Sequence, residues 1–403
     1  MSEMWELIDS DSFRMTNTYN PLIDTVNRPE DELLLCCVRS KINSDTGARI
    51  RTLLRDPIDP IDWQYLISAA SAHGVKPLFC YGLSNSCPEA VNNSILDQLK
   101  RYLQAHSLNN LFLTRELLRL LGGLEKIGIS AIPWKGPVLA ATAYGNVALR
   151  QFGDLDILVR EQDAIRGKDL LLSSGYRLQY QVSAEQEAFH SVRKVYELVR
   201  EDGRVVVELH WAITSQTFPF PLDPASLWEH IETVSLEGAS VRNLSPEDLL
   251  LVLCVHGAKH HWGKLMWICD IAEVLRTYSN KIDWIRLTQR ANSLGGVRML
   301  SLGLILARDL LGAKVPEDVL QRMQAEPKTR FLAAEVRSRL FAGGPLMAVE
   351  RPTFYIQLRE RAQDRMRCRL YLGYRMMAPR AQAWTLRLAH TGRSALDFLR
   401  RSQ

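Results

Sequence analysis

The chain has 403 residues, of which 46% are hydrophobic and 24% are charged, and its formal net charge is +5. These values are typical of a folded protein with a sizeable core, and they exclude a disordered or collagen-like chain. No apolar run approaches the roughly 20 residues that a membrane-spanning helix needs, and the acidic first residues do not resemble a secretory signal. We therefore expect a cytoplasmic protein. The seven cysteines are scattered without a CxxC pair, which argues against a disulfide framework or a zinc ribbon.

The predicted elements divide the chain into five parts. Residues 1–28 are polar and show no periodicity, whereas apolar residues recur at helical spacing from 29 to 128 and predict a helical region. Residues 129–240 alternate β-prone and helical runs, and the Asp202-Gly203 pair predicts a hairpin within this α/β domain. Ser245 followed by Pro246 is typical of a helix start, and 241–345 is predicted to be helical. An arginine-rich helical tail is predicted over 346–403.

The tail carries most of the positive charge. Between 351 and 403 there are twelve arginines and three acidic residues, with aromatic residues among them. This composition is compatible with binding to RNA, to an acidic protein or to a membrane surface. Because arginines such as Arg359 alternate with apolar residues such as Leu358, the solvated face of an amphipathic helix explains the same pattern. We favour that interpretation over RNA binding.

The run GDLDILV, residues 153–159, places two acidic residues in a segment that otherwise predicts a buried strand. Alternation along a strand puts Asp154 and Asp156 on one face, with their Cα atoms about 6.6 Å apart, and puts Leu155 and Ile157 on the other face. Two carboxylates about 4 Å apart in a partly buried site repel each other by up to about 4 kcal/mol, so a cation or a raised pKa is needed. Mg²⁺ or Mn²⁺ would meet this need best. An exposed edge strand with an acidic face is the alternative.

Two neighbouring patterns favour the metal site. Lys135 and Gly136 lie at a predicted strand-to-helix turn, where a glycine allows backbone amides to approach a phosphate. Glu208 lies in the β-branched run RVVVELHW and shares a strand face with His210. Three acidic residues on two strands beside a glycine turn are typical of a two-metal site for phosphoryl transfer.

Taken together, these motifs resemble the polymerase-β-type nucleotidyltransferase superfamily and, more narrowly, a bacterial family of uncharacterised nucleotidyltransferases. The similarity covers roughly residues 100–290. The matching residues, in chain order, are Lys135, Gly136, Tyr144, Arg150, Asp154, Asp156, Glu208, His210, His256, Lys259 and His260. The superfamily usually has Gly-Ser at the phosphate turn, about a dozen residues before the first acid, and aspartate as the third acid. This chain has Lys-Gly, 18 positions between Gly136 and Asp154, and a glutamate. The narrower family shares the Lys-Gly turn and the longer spacing.

The resemblance implies an α+β fold in which a small mixed-sheet nucleotidyltransferase domain is flanked by helical N- and C-terminal regions. It implies transfer of a nucleoside monophosphate from an NTP, with ATP among the candidates, to an unidentified acceptor, and release of pyrophosphate. Mg²⁺ or Mn²⁺ would be held by Asp154, Asp156 and Glu208, and Glu208 would also help to deprotonate the acceptor. The triphosphate would be bound by Lys135, Gly136 and Arg150. A catalytically silent nucleotide-binding or protein-interaction module is the alternative.

Further candidates lie near this motif. In HGAKHHW, His256 and His260 are four residues apart on one helix face; they fit a zinc site, contact with nucleotide or acceptor together with Lys259, or helix packing. His210 is a candidate substrate contact or a packing histidine. For Asp270 we favour a structural role over capping or a pair with Lys259. The acceptor remains open among a small molecule, a peptide, a protein and an RNA end.

Overall fold

The computed structural model describes residues 28–55, 60–179, 193–215, 218, 220–324, 326–342, 350–370 and 372. The predicted polar segment at the N-terminus and most of the predicted tail, 373–403, lie outside these residues. Among the helices described, none is both long and apolar enough to cross a membrane.

Helices make up most of the described chain before the first strand. Their bounds are α1 Pro29–Cys37, α2 Ser44–Arg55, α3 Trp63–Ala72, α4 Lys76–Ser86 and α5 Asn93–Lys126. The side chain of Asn92 caps α5 by accepting a hydrogen bond of 2.9 Å from the Ser94 amide. Leucines at helical spacing bury one side of α5 against the sheet; they are Leu113, Leu117, Leu120 and Leu124.

A mixed five-stranded sheet follows. Its elements are β1 Ala131–Pro133, α6 Gly136–Thr142, β2 Asp154–Val159, α7 Ala164–Ser173, β3 Tyr176–Leu178, β4 Val195–Arg200 and β5 Val206–His210. The strand order is β1-β2-β5-β4-β3. Strands β2 and β5 are parallel, and the other neighbours are antiparallel. The predicted hairpin is confirmed, because β4 and β5 pair across a turn in which Gly203 has a φ of 72°.

The rest of the described chain is a short hairpin followed by helices. The bounds are α8 Pro224–Leu227, β6 Ile231–Leu236, β7 Ala239–Leu244, α9 Pro246–Lys259, α10 Leu265–Tyr278, α11 Trp284–Leu294, α12 Val297–Leu311, α13 Glu317–Gln324, α14 Pro327–Phe341 and α15 Glu350–Gln357. The predicted start of α9 is confirmed, since Ser245 Oγ accepts a hydrogen bond of 3.3 Å from the Asp248 amide. The α+β fold class is confirmed as well.

The two faces of β2 belong to different hydrophobic cores. Leu155 and Ile157 pack into the core that contains the leucines of α5 and Leu171 of α7. On the opposite face, Leu158 joins the larger helical core, which includes the buried residues of α9 and α10. The alternation predicted from the sequence therefore holds, and the acidic face of the strand is covered by the helical region.

The prediction that the arginines of the tail lie on a solvated helix face is wrong for Arg359. Arg359, just after α15, is 2% exposed, and its guanidinium lies 4.5 Å from the centroid of the Phe218 ring. The planar guanidinium can stack on an aromatic face, which lets this charge lie inside the structure.

Candidate active site

A cavity of about 420 Å³ lies between the acidic face of the sheet and the helices that cover it. The sheet side supplies Asp154 and Asp156 from β2 and Glu208 and His210 from β5. The other lining residues include Trp134, Lys135, Arg150, Arg193, His256, Lys259, His260, Lys264 and Trp267. Five of the lining side chains are lysine or arginine and three are carboxylates, so the cavity suits a strongly anionic ligand.

The parallel pairing of β2 and β5 brings the second and third acidic residues side by side. Asp156 is in register with Glu208, and side chains at paired positions point to the same face of a sheet. Asp156, Glu208 and His210 each offer a ligand atom within 4.8 Å of the others. Among the described residues, this is the one cluster of three side chains that could hold a metal ion. The oxygen-rich donor set suits a hard divalent cation.

Asp156 is the most enclosed of the three carboxylates, with 1% of its side chain exposed. Its Oδ1 atom lies 2.9 Å from Lys135 Nζ and 3.1 Å from His210 Nε2. Burial acts to raise the pKa of Asp156, but the charge of Lys135 and the hydrogen bond from His210 outweigh it and hold this pKa well below its usual value. Asp156 is therefore an anion at neutral pH.

His210 joins the two acidic residues. Its Nε2 atom lies 3.0 Å from Glu208 Oε2 as well as close to Asp156. Burial alone would lower the pKa of His210, but the hydrogen bonds to the two carboxylates raise it above its ordinary value of 6.5. For Glu208, burial is opposed by the hydrogen bond from His210, and the resulting pKa is lowered. His210 thus contacts both acidic residues instead of packing apart from them.

Asp154 has a different electrostatic environment, although it shares a strand face with Asp156. Burial raises the pKa of Asp154, and repulsion from the neighbouring Asp156 adds to this effect, while Lys135 acts in the opposite direction. No ion pair of Asp154 occurs within the described part of the chain. This carboxylate therefore lacks the close counterion that Asp156 has.

Gly136 lies directly beside the acidic strand. Its φ is +55°, in the left-handed region that glycine adopts at little cost. An added Cβ atom would lie 3.5 Å from the backbone oxygen of Asp154, which is an ordinary van der Waals contact, so it is the backbone conformation that favours glycine. The turn between β1 and α6 therefore depends on glycine, and it presents Lys135 to the cavity.

Arg150 lines the cavity but is held by a buried carboxylate outside the predicted motif. Its Nε and Nη2 atoms donate to Asp270 Oδ1 and Oδ2 at 2.7 and 2.9 Å, and Tyr144 Oη donates to Asp270 Oδ1 at 2.6 Å. Arg150 is 5% exposed and Asp270 is 1% exposed. Asp270 thus has the structural role favoured from the sequence, with Arg150 and Tyr144 as partners and not Lys259.

The loop that carries Arg150 is also fixed through its backbone. Asn110 Nδ2 on α5 donates to the carbonyl oxygens of Val147 and Arg150 at 2.7 and 3.0 Å. Thr277 Oγ1 on α10 donates to the carbonyl oxygen of Ala143 at 2.8 Å. Because this loop leads directly into β2, these contacts from two helices fix the position of Asp154, the first residue of that strand.

The histidines of α9 lie on the helical wall of the cavity. The ring centroids of His256 and His260 are 4.6 Å apart, and His260 stacks on Trp267 at 5.0 Å. Burial lowers the pKa of His256 well below 6.5 and lowers that of His260 to about 3, so both rings are neutral at pH 7. Within the described residues, no third metal ligand lies beside this pair, which favours contact with substrate or packing over zinc.

Sequence reasoning missed several lining residues. Arg193 precedes β4 and reaches the cavity because β4 pairs with β5, a tertiary arrangement that leaves no local motif. Lys264 lies just beyond the HGAKHHW motif. A second lysine five positions after Lys259 was a sequence signal that could have identified it. Trp134 and Trp267 carry no chemistry that would distinguish them from core residues, so nothing in the sequence indicates that they line the cavity.

A family model described as an uncharacterised nucleotidyltransferase matches residues 59–312, more than half of the chain. Among solved structures, the chain is similar to an antigenic nucleotidyltransferase-like protein from Paracoccidioides brasiliensis. That similarity has 18% sequence identity and a TM-score of 0.32, and it covers 53% of this chain and 96% of the other. No curated protein matches the sequence.

Proposed function

Because more than half of its length matches the family model, the chain belongs to the family of uncharacterised nucleotidyltransferases, and we propose that it transfers a nucleoside monophosphate from an NTP to an acceptor. The acceptor oxygen would attack the α-phosphorus, the bond from that phosphorus to the β-phosphate bridging oxygen would break, and pyrophosphate would leave. The proposal requires a divalent cation, Mg²⁺ or Mn²⁺.

The observation that supports this proposal most strongly is the register between β2 and β5. It places Asp156 beside Glu208, with Asp154 on the same strand face, inside a cavity that also holds Lys135, Arg150 and Arg193. Carboxylates on one wall and cationic side chains around them fit the phosphates of an NTP together with the metal that accompanies them.

The donor set has the chemistry that a divalent cation needs. Asp156 and Glu208 offer carboxylate oxygens near His210, and the half-buried Asp154 lacks a close counterion, so the residues fit such an ion. We assign its binding to Asp154, Asp156 and Glu208. When bound, the ion would neutralise charge on the phosphates and on the attacking oxygen. Lys135 and His210 balance the charge of Asp156 in the structure described here.

The remaining roles follow from the charges of the residues themselves. Glu208 has a lowered pKa and is ionised at neutral pH, so it can accept the proton of the acceptor hydroxyl. Lys135 projects from the glycine turn and would contact the triphosphate as a point charge. Arg150 is already bound to Asp270 through two of its nitrogens, and we assign it the task of directing its remaining N–H groups to the phosphates.

A catalytically silent nucleotide-binding protein is the second candidate. Two features favour it. Lys135 forms an ion pair with Asp156, where a metal ion would bind. The third acid is a glutamate, whose longer side chain places the carboxylate differently from that of an aspartate. A silent protein would bind NTP without releasing pyrophosphate. RNA binding by the predicted tail stays a separate prediction, because 373–403 lies outside the described residues.

The two candidates are separated by a pyrophosphate assay. Purified protein is incubated with each of the four NTPs and Mg²⁺ or Mn²⁺, and products are followed by mass spectrometry, beside a variant with both Asp154→Asn and Asp156→Asn. Glu161→Gln, a change on the exposed side chain of Glu161 outside the cavity, serves as the matched control. Pyrophosphate release by wild type and by Glu161→Gln, but not by the double variant, supports the active enzyme. NTP binding without pyrophosphate release in the presence of heat-treated cell extract supports the silent protein.

A further inference from the structure

The turn between α9 and α10 has a strained backbone at the edge of the cavity. His261 and Trp262 are consecutive residues with φ values of 57° and 53°, in the left-handed region that residues other than glycine seldom adopt. Such a conformation costs of order 1–3 kcal/mol for each residue and persists only where the surroundings enforce it. The turn separates Lys259 at the end of α9 from Lys264 at the start of α10.

Contacts from four elements enforce this turn. Trp262 is fully buried between Gly257 and Gly303, where added Cβ atoms would meet its ring at 2.4 and 3.0 Å. Arg339 Nη2 on α14 donates to the His261 carbonyl oxygen at 3.1 Å, and Tyr355 Oη on α15 donates to the Lys259 carbonyl oxygen at 2.8 Å. The structure therefore holds a strained conformation that sets the positions of the two lysines.

Both lysines line the cavity, and neither forms an ion pair with a carboxylate of the described residues. The other three cations differ in this respect: Lys135 pairs with Asp156, Arg150 with Asp270 and Arg193 with Glu197. Lys259 is half-buried, and burial lowers its pKa, whereas Lys264 is exposed. An enclosed ammonium group without a counterion is unfavourable unless a ligand supplies the negative charge.

The start of α10 does not supply this anion site by its amides. The amides of Leu265 and Met266 donate to His73, to Nδ1 at 3.3 Å and to the carbonyl oxygen at 3.1 Å. The lysine side chains are therefore the cationic groups of this wall that can bind an anion, since His256 and His260 are neutral at pH 7. They belong to the helical side of the cavity, whereas Lys135 and the glycine turn belong to the sheet side.

We propose that Lys259 and Lys264 form an anion-binding pair and that the acceptor is accordingly an anionic molecule with a phosphate or carboxylate group. The inference rests on the proposed function, which assigns the NTP phosphates to the Lys135 side. Among the charges that act on Lys259, Lys135 acts most strongly and Glu208 next, so Lys259 lies near both the phosphate-binding lysine and the carboxylate that would receive the acceptor proton. The same oxyanion chemistry belongs to the NTP triphosphate, and the experiment must distinguish the two sources.

The test uses inorganic phosphate as the probe and calorimetry on the full chain. The protein is first saturated with Mg²⁺ and the α,β-methylene analogue of whichever NTP binds most tightly, and phosphate is then titrated. We expect phosphate to bind the saturated wild type, and we expect Lys259→Gln and Lys264→Gln each to weaken phosphate binding by about tenfold, the loss of one charge-assisted contact. Affinity for the analogue should change less than about twofold. Lys314→Gln, an exposed lysine outside the cavity, is the matched control.

Other outcomes overturn the inference. If the analogue abolishes phosphate binding and the two variants lose affinity for the analogue, the lysines hold the triphosphate. Absence of phosphate binding to the saturated wild type also contradicts an anionic acceptor. Failure of the proposed function would appear separately, as absence of analogue binding to wild type; phosphate titration without nucleotide would then decide whether the lysine pair binds an anion. Circular dichroism of each variant checks that the helical fold persists.

Discussion

Replacing Asp156 by asparagine should destabilise the protein, although the change removes one of two neighbouring negative charges. The Asp156 side chain is 1% exposed, and those of its partners Lys135 and His210 are each 11% exposed. Loss of one member of a buried ion pair typically costs about 3–5 kcal/mol, because the remaining charge is left without its partner. Glu208 still contacts His210 at 3.0 Å, so we expect the lower end of this range, about 3 kcal/mol.

Asp154→Asn provides the matched comparison, and we expect the opposite sign. The pKa of Asp154 is raised by burial and by Asp156. An acid whose pKa is higher in the folded state than in the unfolded state lowers stability at neutral pH, and that loss disappears as the pH falls through the folded-state pKa. Asparagine removes the charge at every pH, so the free energy of unfolding at pH 7 should stay equal or rise.

Urea unfolding followed by tryptophan fluorescence measures both effects. EDTA is included, because a bound divalent cation would stabilise wild type selectively. With an m value of about 3 kcal/mol/M, a loss of about 3 kcal/mol lowers the transition midpoint by about 1 M urea. The reasoning is refuted if the two variants shift the midpoint in the same direction by similar amounts, or if Asp156→Asn leaves it unchanged.

Three further predictions concern the partners of these residues. Asp270→Asn should lower the free energy of unfolding by about 3–5 kcal/mol, because it leaves Arg150 buried without its carboxylate. Tyr144→Phe should lower it by about 1.5–3 kcal/mol, the loss of one hydrogen bond to a charged group. A larger loss for Tyr144→Phe than for Asp270→Asn in urea unfolding would contradict this prediction. The stabilisation from His210 is fully present below its ordinary pKa of 6.5 and is lost as the pH rises through the raised folded-state pKa. The midpoint difference between wild type and His210→Gln should therefore narrow at high pH, and a constant difference would argue against the assigned ion pair. Mn²⁺ at 100 times its dissociation constant should stabilise wild type by about 2.7 kcal/mol; in a thermal-shift assay Glu208→Gln should show a smaller rise, and an equal rise would remove Glu208 from the metal site.

The sequence was most informative where chemistry and local periodicity coincide. Alternation in GDLDILV correctly separated the acidic face of β2 from its apolar face, and the Asp-Gly pair correctly located the hairpin before Glu208. The family resemblance is confirmed by the match over 59–312. The roles of the site residues and the domain bounds stay predictions, because neither the fold nor the family match tests them.

What the sequence did not show depends on contacts between distant segments. Asp270 lies 120 positions from Arg150, and nothing near either residue indicates their bidentate pair. The same is true of Lys135 and Asp156, whose ion pair offsets the repulsion expected between Asp154 and Asp156. The strained turn at His261 and Trp262 is set by packing against Gly257 and by α14 and α15, so it too required the structure.

The central claim is that the chain transfers a nucleoside monophosphate, and the position of a radioactive label tests it most directly. Wild type and the Asp154→Asn, Asp156→Asn double variant are incubated with a divalent cation, an NTP labelled with ³²P at either the α- or the γ-phosphate, and heat-treated cell extract, in which the kinases and polymerases of the extract are inactive. We predict that wild type transfers the α-label to a product, that the γ-label appears only in pyrophosphate, and that the double variant does neither. Transfer of the γ-label to the product would identify a kinase-type reaction. Equal α-labelling by the double variant would show that these carboxylates are not needed for the reaction. Either result would contradict the account.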